Sequence, residues 1–239
     1  MKKNEFILLR HGYDDHSYID GKNDTGLTKV GINMVKDASE KLLYDINSND
    51  VIIRHSSKIR AKETAEILCE RILRENIPCR FVEDNGLTEL HQGIFCFDGM
   101  EHKARVNFLQ SCWDDFEYCR KLGDLSHNFG QNKDRSIVLS PGENHSEWSV
   151  RIASGLLNII DDMSNSYQSI NVTHRGAIFE IEQLVKMINE GLPMDEVEKY
   201  ETIWVSYCKD LKLDVKDFEK SKVLLKKYIN KRSNHENNN

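Results

Sequence analysis

Short apolar runs punctuate a chain that is otherwise dense in charge, and each run stops on basic or small polar residues. Phe6-Ile7-Leu8-Leu9 ends at Arg10-His11-Gly12, and Val51-Ile52-Ile53 ends at Arg54-His55-Ser56. Ile170-Asn171-Val172-Thr173 ends at His174-Arg175-Gly176. Runs of this length without polar alternation predict strands buried on both faces. Between them the period becomes helical. Thr28 is a candidate N-cap ahead of Val35, Ala38, Leu42 and Ile46. Ser56 or Ser57 is a candidate cap for a helix whose Ala61, Thr64, Ala65, Leu68 and Ile72 share one face. Residues 143–163 carry Trp148, Ile152, Leu156, Ile159 and Ile160 on one side, and Ile178, Ile181, Leu184, Val185 and Ile188 repeat the pattern further on.

Weaker signals predict strands at 80–83 and 203–207 and helices at 101–122 and 215–230, with polar loops at 13–26, 85–99 and 123–142. Strands alternating with helices predict an α/β fold: a three-layer sandwich, with a mostly parallel central sheet and helices on both faces. One domain over 1–232 is expected, followed by a disordered, asparagine-rich tail at 233–239.

Composition narrows the class. With 239 residues, 39% of them hydrophobic, the chain can build a core without disulfides or metal. The net charge of −6 argues against nucleic acid as a partner, so any positive charge meant for a phosphate has to be concentrated locally. Six cysteines (69, 79, 96, 112, 119 and 208) form no CxxC pair and no zinc-like spacing, a usage that suits a reducing cytosol. The first apolar run is too short for a signal peptide, and no stretch approaches a membrane span. The expectation is a cytoplasmic protein without a membrane partner.

If the three strands are neighbours, Arg10, His11, Arg60 and His174 converge at one sheet edge, where open α/β sheets keep their sites. Arg60 falls in the first turn of its helix, the end that favours anions, and a bound anion there would relieve the mismatch. Two guanidiniums and two imidazoles make a phosphate pocket that calls for no metal and no cofactor. Neutral imidazole is a competent nucleophile toward phosphorus, and a leaving alkoxide needs a proton from a nearby carboxylic acid.

LLRHG at 8–12, SSKIRAKETA at 56–65, TELHQG at 88–93, PGEN at 141–144 and THRG at 173–176 together resemble the histidine phosphatase (phosphoglycerate mutase-like) superfamily, in the same order. The resemblance runs from residue 5 to about 210. It implies a mixed sheet covered on both faces, with His11 as the histidine that becomes phosphorylated. It implies phosphate-holding roles for Arg10, Arg60 and His174, and Glu89 as proton donor, with Asp14, Asp15 and Glu143 open as alternatives. Gly21 matches a glycine of the substrate loop. Ser17 stands where an asparagine is common and is carried over as a phosphate ligand, while Ser57 stands where proline is usual. The resemblance also implies an inserted lid around 90–142.

His-Arg-Gly at 174–176 points to the mutase-type branch rather than the acid-phosphatase branch. Phosphoglycerate mutases typically read Glu-Arg-His-Tyr-Gly where this chain has Glu89-Leu90-His91-Gln92-Gly93. The arginine and tyrosine for a second acidic group are missing, which favours water as acceptor. The first reading is therefore a metal-independent phosphatase of small phosphorylated metabolites that works through a phosphohistidine. A mutase-type phosphoryl transfer and a non-catalytic phosphate-binding relative are the alternatives. The oligomeric state is open, a homodimer included.

Overall fold

The computed structural model describes residues 4–14, 24–91, 94–95, 138–140, 143–193 and 206–236. In chain order the elements are β1 (Glu5–Arg10), α1 (Lys29–Leu43), β2 (Val51–His55), α2 (Ile59–Arg74), β3 (Cys79–Glu83), a 3-10 turn (Asn85–Leu87), β4 (Ile94–Phe95), β5 (Val138–Ser140), α3 (His145–Ser164), β6 (Gln168–Thr173), α4 (Arg175–Glu190), β7 (Asp210–Asp214) and α5 (Phe218–Glu236).

Five strands form one sheet in the order β3-β2-β6-β1-β7, all parallel except β7, which runs antiparallel to β1. The three apolar runs are its central strands, as their unbroken hydrophobicity predicts. Alternate side chains then divide between the two faces. Ile7, Leu9, Val51, Ile53, Ile170 and Val172 face a buried cluster with α1 and α2, through Val35, Leu42, Ala61, Ala65, Leu68 and Ile72. Arg54, on the opposite face of β2, reaches Asp162 of α3, so that side of the sheet is covered as well. α4 packs on β1 and β7. The predicted three-layer architecture is the observed one.

Several predicted elements shift. The Thr28 cap forms as expected, its hydroxyl accepting from Gly31 N at 3.0 Å. α2, by contrast, has Lys58 as its N-cap without a side-chain cap bond: the Ser56 hydroxyl meets His174 Nε2 and the Lys58 amide, and Ser57 Oγ pairs with Thr88. The last strand is Asp210–Asp214 rather than 203–207. Of the predicted span, 203–205 lie outside the described residues and Tyr207 sits in a turn. The sequence DLKLD is an edge strand whose outer positions stay exposed, so it lacks the apolar run of the central strands. The last helix extends through Glu236, so 233–236, expected as tail, are helical; extending a formed helix costs little per residue. The predicted helix at 101–122 and nearly all of the expected lid lie outside the described residues.

The chain divides into two compact units. One comprises Met1–Asp15, Gly26–Glu89 and Val150–Asn239, and the other His16–Thr25 and Leu90–Ser149. The second contains the two-stranded antiparallel sheet of β4 and β5. Everything described below belongs to the first.

Candidate active site

The site starts from strand register. Arg10 pairs with Thr173, and His55 with Val172, so β1, β2 and β6 end level with one another. The ladder continues one step past the strands, with His11 N donating to Thr173 O at 3.0 Å and Ser56 N to Val172 O at 3.1 Å. Arg10, His11, Ser56 and His174 therefore emerge together at the carboxyl edge of the sheet. Arg60 joins them from the first turn of α2.

His11 and His174 are buried, 3% and 2% exposed, with ring centroids 4.9 Å apart. Their partners set their tautomers. His11 Nδ1 lies 2.7 Å from Gly12 O, an atom that can only accept, so the proton is on Nδ1. Nε2 is left with its lone pair, and Arg60 Nε donates to it at 3.2 Å. In His174 the arrangement is reversed. Arg60 Nη2, which can only donate, is 3.4 Å from Nδ1, so Nε2 carries the proton and gives it to Ser56 Oγ at 2.7 Å. Burial first, then the Arg60 guanidinium, push the His11 pKa down to about 3, against the opposing pull of Asp14. Burial and Arg60 likewise hold His174 well below the ordinary imidazole value. Both rings are neutral at neutral pH in the free protein.

Four polar positions of SSKIRAKETA have tasks at the site. Ser56 orients His174 and Arg60 spans the two imidazoles. Thr64 accepts from Gly12 N at 3.0 Å while donating to Arg60 O, which locks the turn after His11 to α2. Glu63 accepts from Leu27 N and anchors the far end of the loop that starts at Gly12. Gly12 itself does not adopt a left-handed backbone. A Cβ there would lie 2.7 Å from Val35 Cγ2 and 3.0 Å from Gly31 O, so the glycine serves close packing against α1 rather than the tight turn its position suggests.

Glu89 follows the 3-10 turn and sits at the start of α4, where its Oε2 accepts from Gly176 N at 2.9 Å. It is close enough to Arg10 to act on that guanidinium's charge. Arg10, His11, Arg60, His174 and Glu89 thus come together in one unit as the sequence anticipates. Ser17, Gly21 and Asp15 lie outside the described residues, and Glu143 belongs to the other unit.

Two neighbours were not anticipated in these roles. Asp14, 1% exposed, has Oδ2 at 3.7 Å from Arg60 Nε and Oδ1 at 4.0 Å from His11 Nδ1. The Tyr207 ring lies 3.9 Å under the Arg10 guanidinium and 5.6 Å from the His11 ring, with Tyr13 edge-on at 5.3 Å. The turn that brings Tyr207 in is fixed by Cys208, whose backbone is left-handed (φ 54°) and whose N donates to Arg10 O at 3.0 Å. Tyr207 reaches the site across the chain, with no local motif to flag it. Asp14 had a signal, a carboxylate three residues after His11, but its burial is a tertiary fact.

Among the described residues no group of three or more His, Cys, Asp or Glu side chains is placed to hold a metal ion, and no helix is long and apolar enough to cross a membrane. The assembled positive charge, the buried neutral imidazole whose Nε2 lone pair faces the Arg60 guanidinium and the adjacent carboxylate suit the handling of a phosphoryl group.

Among solved structures, mycobacterial glucosyl-3-phosphoglycerate phosphatase is similar at 20% identity and a TM-score of 0.55, covering 91% of this chain and 94% of that one. A putative alpha-ribazole-5'-P phosphatase from Escherichia coli is similar at 17% identity and a TM-score of 0.54, over 90% of this chain and 92% of that one. Bacillus stearothermophilus YhfR gives 19% identity and a TM-score of 0.54, over 88% and 90%. At these identities the likeness is one of fold. No curated protein matches the sequence. The family model of the histidine phosphatase superfamily (branch 1) matches residues 6–210, nearly the whole span from β1 to the start of β7, and the chain belongs to that superfamily.

Proposed function

We propose that this protein is a phosphatase that hydrolyses small phosphate monoesters through a phosphohistidine at His11, without a metal ion. The observation that carries the reading is the tautomer of His11: Nδ1–H is tied to Gly12 O, which leaves the Nε2 lone pair directed at the guanidinium of Arg60. Arg60 and Arg10 supply charge for the equatorial phosphate oxygens, and most of the catalysis is that positioning. His11 Nε2 attacks phosphorus; the P–N bond forms as the ester P–O bond breaks, and Glu89 gives its proton to the departing alkoxide. Ionised Glu89 then takes a proton from water, which attacks phosphorus and releases phosphate and His11. Similar folds include phosphatases named for glucosyl-3-phosphoglycerate and alpha-ribazole-5'-P, which supports a small phosphorylated metabolite as substrate. Leu90 and Gln92 stand where a mutase carries arginine and tyrosine, which supports water as acceptor over a second substrate.

The test is a panel of phosphorylated metabolites with excess chelator present. Turnover of at least one monoester should persist, fall about a thousandfold or more in His11→Ala, and give a phosphorylated His11 on alkaline quench. Glu89→Gln should slow a sugar phosphate far more than nitrophenyl phosphate, whose leaving group departs without a proton. Activity that returns only with added divalent metal, or a protein that never takes up label, overturns the reading.

A further inference from the structure

Glu89 has no regular element of its own. It ends the short segment 84–89, so something else must fix it. That support comes from α3, along a single stripe. Arg151, Gly155, Asn158 and Asp162 recur at spacings of four, three and four, one face of a helix. Each meets the Glu89 segment or the residue that anchors it. Arg151 Nη1 donates to Asn85 O at 2.6 Å and to Thr88 O at 2.9 Å, and Nη2 to Glu89 O at 3.3 Å. Gly155 meets Gly86 so closely that a Cβ on Gly86 would lie 2.5 Å from Gly155 Cα. Asn158 Nδ2 donates to Asp84 Oδ2 at 2.8 Å. Asp162 takes both Nε and Nη2 of Arg54, whose Nη1 reaches Asp84 at 3.3 Å. Asp84 Oδ1 in turn accepts from Gly86 N and starts the turn.

We infer that Arg151 is a positioning residue of this enzyme: one guanidinium gathers three carbonyls of the segment 84–89, Glu89's own among them, and sets where the Glu89 carboxyl stands relative to the phosphoryl site. The inference rests on the reading of Glu89 as proton donor. The geometry suits arginine, since its planar fork reaches the three carbonyls from two separated nitrogens in a fixed arrangement, whereas an ammonium would have to donate all three bonds from one nitrogen on a flexible stem. The other three positions of the stripe hold the start of the segment; Arg151 ties that start, at Asn85, to its end, next to the acid. The 2.9 Å bond from Gly176 N to Glu89 Oε2 is the complementary constraint on the side chain. Loss of Arg151 frees the backbone of Glu89 and lets the carboxyl follow the helix amide instead of the leaving group.

The experiment compares an alkyl and an aryl phosphate monoester in wild type, Arg151→Ala, Glu89→Gln and the double variant. Arg151→Ala should lower kcat for the alkyl ester ten- to fiftyfold and for the aryl ester less than threefold, with KM little changed for both. In the Glu89→Gln background, adding Arg151→Ala should cost nothing further on the alkyl ester, because the group it positions has already lost its proton. Equal losses on both esters, or a full further loss in the double variant, overturn the inference. If Glu89→Gln itself shows no leaving-group split, the proton-donor reading fails, and the inference with it. If Glu89→Gln shows the split and Arg151→Ala does not, only the inference fails. Should Arg151→Ala not fold, Arg151→Lys supplies the same comparison, with an intermediate split expected.

Discussion

At the scale of the residue, the two imidazoles hold opposite tautomers because one arginine donates to both of them. This has a consequence for His174. Its Nδ1 accepts from Arg60 in the free protein, so it can donate to a phosphoryl oxygen only after the ring takes up a second proton. Burial and Arg60 oppose that proton until an anion enters and offsets the guanidinium. Anion binding should therefore draw a proton from solution. Sulfate stays a dianion across the working range, so calorimetry of its binding at pH 6–7, in buffers of different ionisation enthalpy, reads the protein's uptake alone. An uptake approaching one proton per sulfate is expected, and it should vanish in His174→Asn. Heats independent of buffer in the wild type would show that His174 stays neutral and that its Nδ1 is no donor. The four basic residues were legible because each closes an apolar run or opens a helix. Arg151 was less so. It looks like a solvated cation on α3 until Gly155, Asn158 and Asp162 are counted with it as one stripe beside that of Ile152, Leu156 and Ile159.

At the scale of the element, α1 is fitted to the loop after His11 by a glycine. A Cβ at Gly31 would lie 2.1 Å from Tyr13 O, a backbone atom that cannot rotate away. Gly31→Ala sets two effects against each other. Helix propensity gains roughly 1 kcal/mol, while overpacking costs about 1–3 kcal/mol and moves either α1 or the Tyr13 backbone. Overpacking should win: a lower thermal midpoint is expected, together with at least a tenfold loss of kcat/KM because His11 is two residues from the displaced atom. A midpoint equal to or above that of wild type would mean the helix and loop separate freely. The central strands were readable from hydrophobicity alone, and Thr28 from its cap chemistry. β7 was not. Its two leucines alternate with charged residues, and its place is decided by pairing with β1 rather than by its own composition.

At the scale of the whole molecule, the buried histidines couple the site to stability. In the unfolded chain an imidazole titrates near pH 6.5, whereas folded His11 does so at about 3. Between those values the unfolded state binds the extra proton, so stability is fully present above about pH 6.5 and declines as the pH falls below it. For His11 this amounts to about 2 kcal/mol at pH 5, and His174 acts in the same direction. Denaturant unfolding of anion-free protein at pH 7 and pH 5 should show the loss, and His11→Asn should reduce it. An unchanged pH dependence in that variant would mean that His11 titrates normally in the folded protein.

The strand order carries a last consequence. β1, first in the element order, is flanked in the finished sheet by β6 and β7, with partners such as Ile7 and Ile170, or Phe6 and Leu213. Neither edge of β1 can be satisfied until more than 160 residues have followed it. Through that interval a strongly apolar strand stays unpaired, and long-range pairing of this kind slows folding. The same arrangement means that a chain interrupted before β6 holds His11 but neither His174 nor the strand that carries it, so no product that stops short of β6 assembles the site.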